Sequence, residues 1–214
     1  YTRSNCEYSY VEDNILLFES LTTGGFIIPV KGGYKSGGRI YDSFSRMPSW
    51  IRNTMMIHGK PIVELDFITL HPNLADTLYS EGTNKFINHT SVAFYLGCDR
   101  AEAKNAHLTF FNLKLKPFQN SKVYPYYKET RPAMIEKIEA IKKNEGYQTI
   151  SYQLSALEVE LMTRIFEEFD KNYITAIYVF DAVLVEGKNQ EYAKKIMDKI
   201  AREMNIQTSV SINN

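Results

Sequence analysis

The chain has 214 residues, 25 Lys and Arg against 25 Asp and Glu for a formal net charge of zero, and 44% hydrophobic residues. This supports a folded domain with one substantial core, and it argues against a protein that holds polyanions by its overall charge while leaving room for a local basic cleft. Two distant cysteines, Cys6 and Cys98, do not suggest a disulfide framework and point to a reducing, cytoplasmic compartment; no apolar run approaches a membrane span, and the start has no charged-then-apolar signal pattern.

Residues 1–35 read as an entry segment with an aromatic, acidic start, a helical run around NILLFESL and a strand at FIIPV. The following KGGYKSGGR carries four glycines and predicts a flexible loop. PIVELDF predicts a buried strand ending at Asp66, and HPNLADTLYSEG predicts a helix with Pro72 near its start and Gly82 at its stop. Asp66 is therefore expected at a strand-to-helix junction. DRAEAKNAHLTFFN predicts a helix with Arg100, Lys104, Leu108 and Phe111 on one face. A charged helix with Met134, Ile138 and Ile141 inside spans Pro132 to Asn144. ISYQLSALEVELMTRIFEEF then predicts a longer one packed through Leu154, Leu157, Leu161 and Ile165. ITAIYVF and AVLVEG predict two strands with Asp181 in a tight hairpin or bulged turn between them. The next segment, GKNQEYAKKIMDKIAREMN, predicts a helix with Tyr192, Ile196, Ile200 and Met204 inward, and QTSVSI a short strand returning to the sheet. Strands with helices packed on one face make an α+β fold.

Asp66 and Asp181 are the most informative pair, because two such carboxylates in one cleft can hold two divalent cations for nucleotidyl transfer. Magnesium takes oxygen ligands and keeps waters, so one or two carboxylates and substrate phosphates suffice. The basic helix between them adds cations for phosphate. Taken singly, an aspartate at a strand end is a turn residue and a basic helix face is merely solvated. Alternation puts Glu64 on the face of Asp66, as a supporting acid or a solvated strand-edge charge, and Glu186 flanks Asp181. His58, His89 and His107 lack metal-ligand spacing and read as structural or surface residues.

In collinear order, GGRIYDSFSRMPSWIRNTM, VELDFITLHPNLA, the Arg100 and Lys104 helix, YQLSALEVELM and VFDAVLVEG resemble the polymerase core of the family-A DNA polymerases and, more distantly, the single-subunit RNA polymerases. The resemblance spans roughly residues 36 to 204. It departs from the family pattern where LTFFN lacks the glycine that ends motif B, and where Phe180 stands in place of the usual histidine before the motif C aspartate.

The resemblance implies a polymerase-type palm, an antiparallel sheet with helices on one face, with a reduced helical fingers insertion. Palm segments would be 36–80 and 151–214, fingers 81–150. It implies two Mg2+ ions, replaceable by Mn2+, on Asp66, Asp181 and the backbone carbonyl of Phe67. Lys104 would act at the phosphates nearest the reacting bond, Arg100 at the outer phosphates, His71 at the sugar and Phe111 against the incoming base, although a paired aromatic is as often core. Arg39, Arg52 and Gln153 would meet the DNA primer-template, with nucleoside triphosphates as substrate. Only 38 positions separate Asp66 from Lys104 and 49 separate Lys104 from Gln153, and no thumb is legible, so one would come from a lost N-terminal region, from a partner protein, or not at all. The leading expectation is a minimal DNA polymerase of a phage or mobile element. The alternatives are a noncatalytic palm that binds nucleic acid or a replication partner, and a two-metal phosphodiesterase.

Overall fold

A computed structural model describes residues 10–23, 29–80 and 86–213. Cys6, most of FIIPV and the stop residue Gly82 lie outside the described residues. Helix α1 (Tyr10–Thr22) precedes a small hairpin of β1 (Val30–Lys31) and β2 (Ile40–Tyr41) that brackets the glycine-rich loop. Two single-turn helices follow, α2 (Ser43–Arg46) and α3 (Ser49–Arg52), then β3 (Met56–Ile57) and the long β4 (Lys60–Phe67). A helical stretch comes next: α4 (Leu70–Tyr79), α5 (His89–Leu96), α6 (Arg100–Phe110), α7 (Leu115–Gln119), α8 (Tyr124–Thr130), α9 (Pro132–Asn144) and α10 (Thr149–Lys171). The chain ends with the hairpin of β5 (Ala176–Val179) and β6 (Ala182–Glu186), then α11 (Gln190–Glu203) and β7 (Val210–Asn213).

Every strand pairing in the main sheet is antiparallel. Strand β4 has β6 on one edge and both β3 and β7 on the other, and β5 lies outside β6. The alternation of β4 turns Leu65 and Phe67 into the main core, where they join Val183 and Val185 of β6 with Leu74, Leu154, Leu161, Ile165, Ile196 and Ile200 from α4, α10 and α11. Each such side chain, fully buried, contributes about 1.5–3 kcal/mol. Phe44, Met47, Ile51, Val179 and Leu184 form a second, smaller cluster on the opposite face. Strand β6 is buried along its whole length because both its faces are covered, which explains the unbroken apolar run AVLV.

Helices α5 to α9 have no core of their own. Phe110, Phe118, Met134 and Ile138 belong to the same cluster as Leu65 and Val183. Two details differ from the sequence reading. The inward stripe of α11 is Ala193, Ile196, Met197, Ile200 and Ala201, because small alanines let the helix approach closely, while Tyr192 is half-exposed with its hydroxyl on Asn172 Oδ1. Helix α4 begins at Leu70, ahead of Pro72, and closes at Ser80. Among the described residues no helix is long and apolar enough to cross a membrane.

Candidate functional site

The register of the central pair puts Asp66 opposite Ala182, and Asp181 is the residue before it, so the two carboxylates sit at one end of the sheet, Asp66 on β4 and Asp181 in the turn that leads into β6. Asp181 is the second residue of a two-residue turn, since Val179 already pairs with Ala182. Phe180, its neighbour, has φ +55°, and Thr69, three residues after Asp66, has the same value. A left-handed conformation for an aromatic and a β-branched residue costs about 1–3 kcal/mol each and is held only where the surroundings dictate it.

Asp66 is half-buried, and its Oδ1 is buried with no hydrogen-bond partner. Burial, then Asp181 and then Glu64 push its carboxyl up to about 7, against Lys104 and the Phe67 N–H, which favour the charged form. Glu64 thus shares its face, as alternation requires. Asp181 is raised as well, first by burial and then by Glu158, with His71 and Arg39 working the other way. Two proximal carboxylates that resist ionisation would be relieved of their mutual repulsion by a shared cation. The donors are oxygens, and among the described residues no group of three or more His, Cys, Asp or Glu is arranged for a metal. Phe67 is buried.

Behind Asp181 lies an ion cluster that sequence reasoning did not find. Glu158 on α10 is fully buried and accepts from Arg39 Nε at 2.7 Å and Nη2 at 2.5 Å, and its Oε2 lies 2.7 Å from His71 Nε2. Burial alone would raise its carboxyl, but the bonds from His71 and Arg39 outweigh this and hold it below its usual range. Arg39 also lies over the Phe180 ring, 5.6 Å from its centre. The glycine-rich loop makes this reach possible. Gly37 has φ +62°, and a Cβ there would fall 2.4 Å from the α10 backbone at Ser155 and Ala156. Arg39, expected at the primer-template, and His71, expected at the sugar, therefore converge on one acid. Glu158 was detectable as a carboxylate in the buried i, i+4 stripe of Leu154 and Leu161.

On α6, Arg100 and Lys104 are exposed, and Lys104 is close enough to favour ionised Asp66. His89, at the start of α5, is pushed down to about 4 by burial and by both Arg100 and Lys104, so it lies with the cations and not apart from them. Phe111 requires correction. The helix ends at Phe110, and Phe111 turns into the core at 3% exposure, where it cannot meet a base. Its carbonyl and that of Leu113 accept from the buried Lys142 Nζ at 2.8 and 2.7 Å. Phe111→Ala should cost about 3–5 kcal/mol, whereas Leu108→Ala on the exposed side should change stability by about 0.5 kcal/mol or less; urea unfolding of both variants checks this.

The remaining predicted contacts are engaged within the fold. Arg52 Nη1 donates to the Met47 carbonyl at 2.6 Å, folding the side chain back on its own turn. Gln153 Oε1 accepts from the Tyr79 hydroxyl at 2.5 Å, which leaves its amide nitrogen for any further partner.

No protein-family model matches the chain, and no curated protein matches it. Among solved structures it superposes on the POL domain of Pol1 from M. smegmatis, a complex with DNA primer-template and dNTP, with a TM-score of 0.62 at 10% identity. The fold is that of a polymerase-like palm. The match covers 96% of this chain and 50% of that one, so the chain spans about half the length of the structure it resembles.

Proposed function

We propose that this chain catalyses template-dependent nucleotidyl transfer as a minimal, family-A-like DNA polymerase. The observation that carries the reading is the pair of raised carboxylates, Asp66 and Asp181, set side by side by the β4–β6 register, with Lys104 close enough to act on Asp66. Asp66, Asp181 and the Phe67 carbonyl are the residues that would hold Mg2+ or Mn2+. Such ions, when bound, neutralise the triphosphate and lower the pKa of the attacking 3′-hydroxyl.

Lys104, nearest the carboxylates, neutralises the phosphate at the reacting bond. Arg100 grips the outer phosphates as a planar fork, and His89 adds an imidazole between them. His71 faces the sugar edge of the nucleotide, its ring held by Glu158. Segments 36–80 and 151–214 act as palm and 81–150 as reduced fingers, with DNA primer-template and nucleoside triphosphates as partners and a second protein supplying the thumb.

Extension of a labelled primer-template with Mg2+ or Mn2+, with dNTPs and rNTPs in parallel, tests this. Extension with dNTPs is the expected result. No extension under any condition, with DNA binding retained by anisotropy, would replace the reading with a noncatalytic nucleic-acid-binding palm.

A further inference from the structure

Between α5, α6 and α8 runs a chain of three aromatic polar groups with no part in the carboxylate site. His89 Nδ1 lies 2.9 Å from His107 Nδ1, and His107 Nε2 lies 2.9 Å from the Tyr127 hydroxyl. Tyr127 is fully buried, stacked on Phe110 with ring centres 5.2 Å apart, and His107 is 5% exposed. His89, at the other end, is half-buried beside Arg100 and Lys104.

Both imidazoles are neutral at physiological pH, since burial pushes His107 down to about 3, and burial together with the two cations holds His89 near 4. A neutral imidazole has one nitrogen that donates and one that accepts, so each bond in the chain dictates the next. The Tyr127 hydroxyl has no other hydrogen-bond partner among the described residues. Were it to accept from His107, its own proton would be buried with no acceptor, a loss of about 1–3 kcal/mol. It therefore donates to His107 Nε2. His107 must then carry its proton on Nδ1 and donate to His89 Nδ1, which leaves the proton of His89 on Nε2.

We propose that His107 and Tyr127 are positioning residues, a buried relay that locks His89 as an outward Nε2–H donor for the phosphate groups that Arg100 and Lys104 hold. The proposal rests on the triphosphate-binding reading above for its ligand, but not for its tautomers. The relay gives the cationic face a neutral, directional hydrogen bond whose donor cannot turn into an acceptor. Two cations on flexible stems do not fix direction in this way.

Long-range 1H–15N correlation spectra of the 15N-histidine-labelled protein decide the tautomers with no ligand present. The expected result is His107 protonated at Nδ1, the less common neutral form, and His89 at Nε2. Finding His107 protonated at Nε2 and His89 at Nδ1 would overturn the proposal. Tyr127→Phe keeps the buried ring and deletes only the donor. In that variant His107 Nε2 has no partner in either arrangement, so the His107 Nδ1–H and His89 Nε2–H signals should give way to a mixture of the two tautomers, and dATP should bind more weakly, by up to about 5-fold, the worth of one neutral hydrogen bond. Unchanged tautomers in the variant would also overturn it. A wild type with the expected tautomers and no affinity for dATP would retain the relay and remove its triphosphate ligand, so the two failures are separable.

Discussion

Asp66→Asn is expected to abolish primer extension and at the same time to stabilise the fold. Incorporation should fall by about 1,000-fold or more, because one of two carboxylates that would hold the ions is gone. The stability gain follows from linkage. The Asp66 carboxyl stands near 7 in the folded chain against about 3.9 when unfolded, so the native state holds the proton more tightly. Wild-type stability then declines as pH rises from about 4, and the decline is complete above 7, where the charge must be carried beside Asp181 and Glu64. A rise from about 3.9 to about 7 corresponds to about 4 kcal/mol, which screening at a half-buried group reduces to roughly 1–2 kcal/mol. Thermal melts of wild type and variant should therefore diverge toward pH 8 and converge near pH 4. Added Mg2+ should raise the wild-type melting temperature and leave the variant unmoved. Equal melting curves at pH 8 would show that Asp66 carries no such burden.

Glu158→Gln should have the opposite effect on stability. It preserves shape but removes the charge that both Arg39 and His71 address, and breaking a buried ion pair by deleting one partner costs about 3–5 kcal/mol. The dependence on pH also reverses. The carboxyl is depressed, so its contribution is present above the unfolded value of about 4.3 and is lost as pH falls through the folded one. A second consequence reaches the site. Arg39 already favours ionised Asp181, and without Glu158 to neutralise it that positive charge would act on the aspartate unopposed, competing with a cation. Half-maximal primer extension should then need more Mg2+. The double variant Arg39→Met/Glu158→Gln should recover part of both losses, with a coupling of about 1–3 kcal/mol in urea unfolding. Additive losses would mean that Arg39 and Glu158 act independently.

The elements that the sequence predicted correctly are those whose signal is local. PIVELDF, AIYV and AVLVE carry β-branched runs, and α10 and α11 carry long 3.6-residue periods, so strand and helix identity needed no partner. The two-residue turn at Phe180 and Asp181 was legible for the same reason. Phe111 was misplaced because it was grouped with Arg100, Lys104 and Leu108, whereas it keeps right-handed helical dihedrals at the end of α6 and continues the buried i, i+4 row of Ala103 and His107. The burial of Glu158 was legible in the stripe of Leu154 and Leu161, but its role was not, since its partners lie 119 and 87 positions away and no local pattern encodes an ion pair of that span.

The α+β character, Asp66 at the end of a strand, Asp181 between two strands and the cationic face of Arg100 and Lys104 are each written in the period of a short stretch. That Arg39 and His71 share Glu158, that Phe111 is core and that His89 meets Tyr127 through His107 emerged from packing alone. Those facts depend on which distant groups burial forces together, since a polar group taken out of water must find its partner wherever the packing places one.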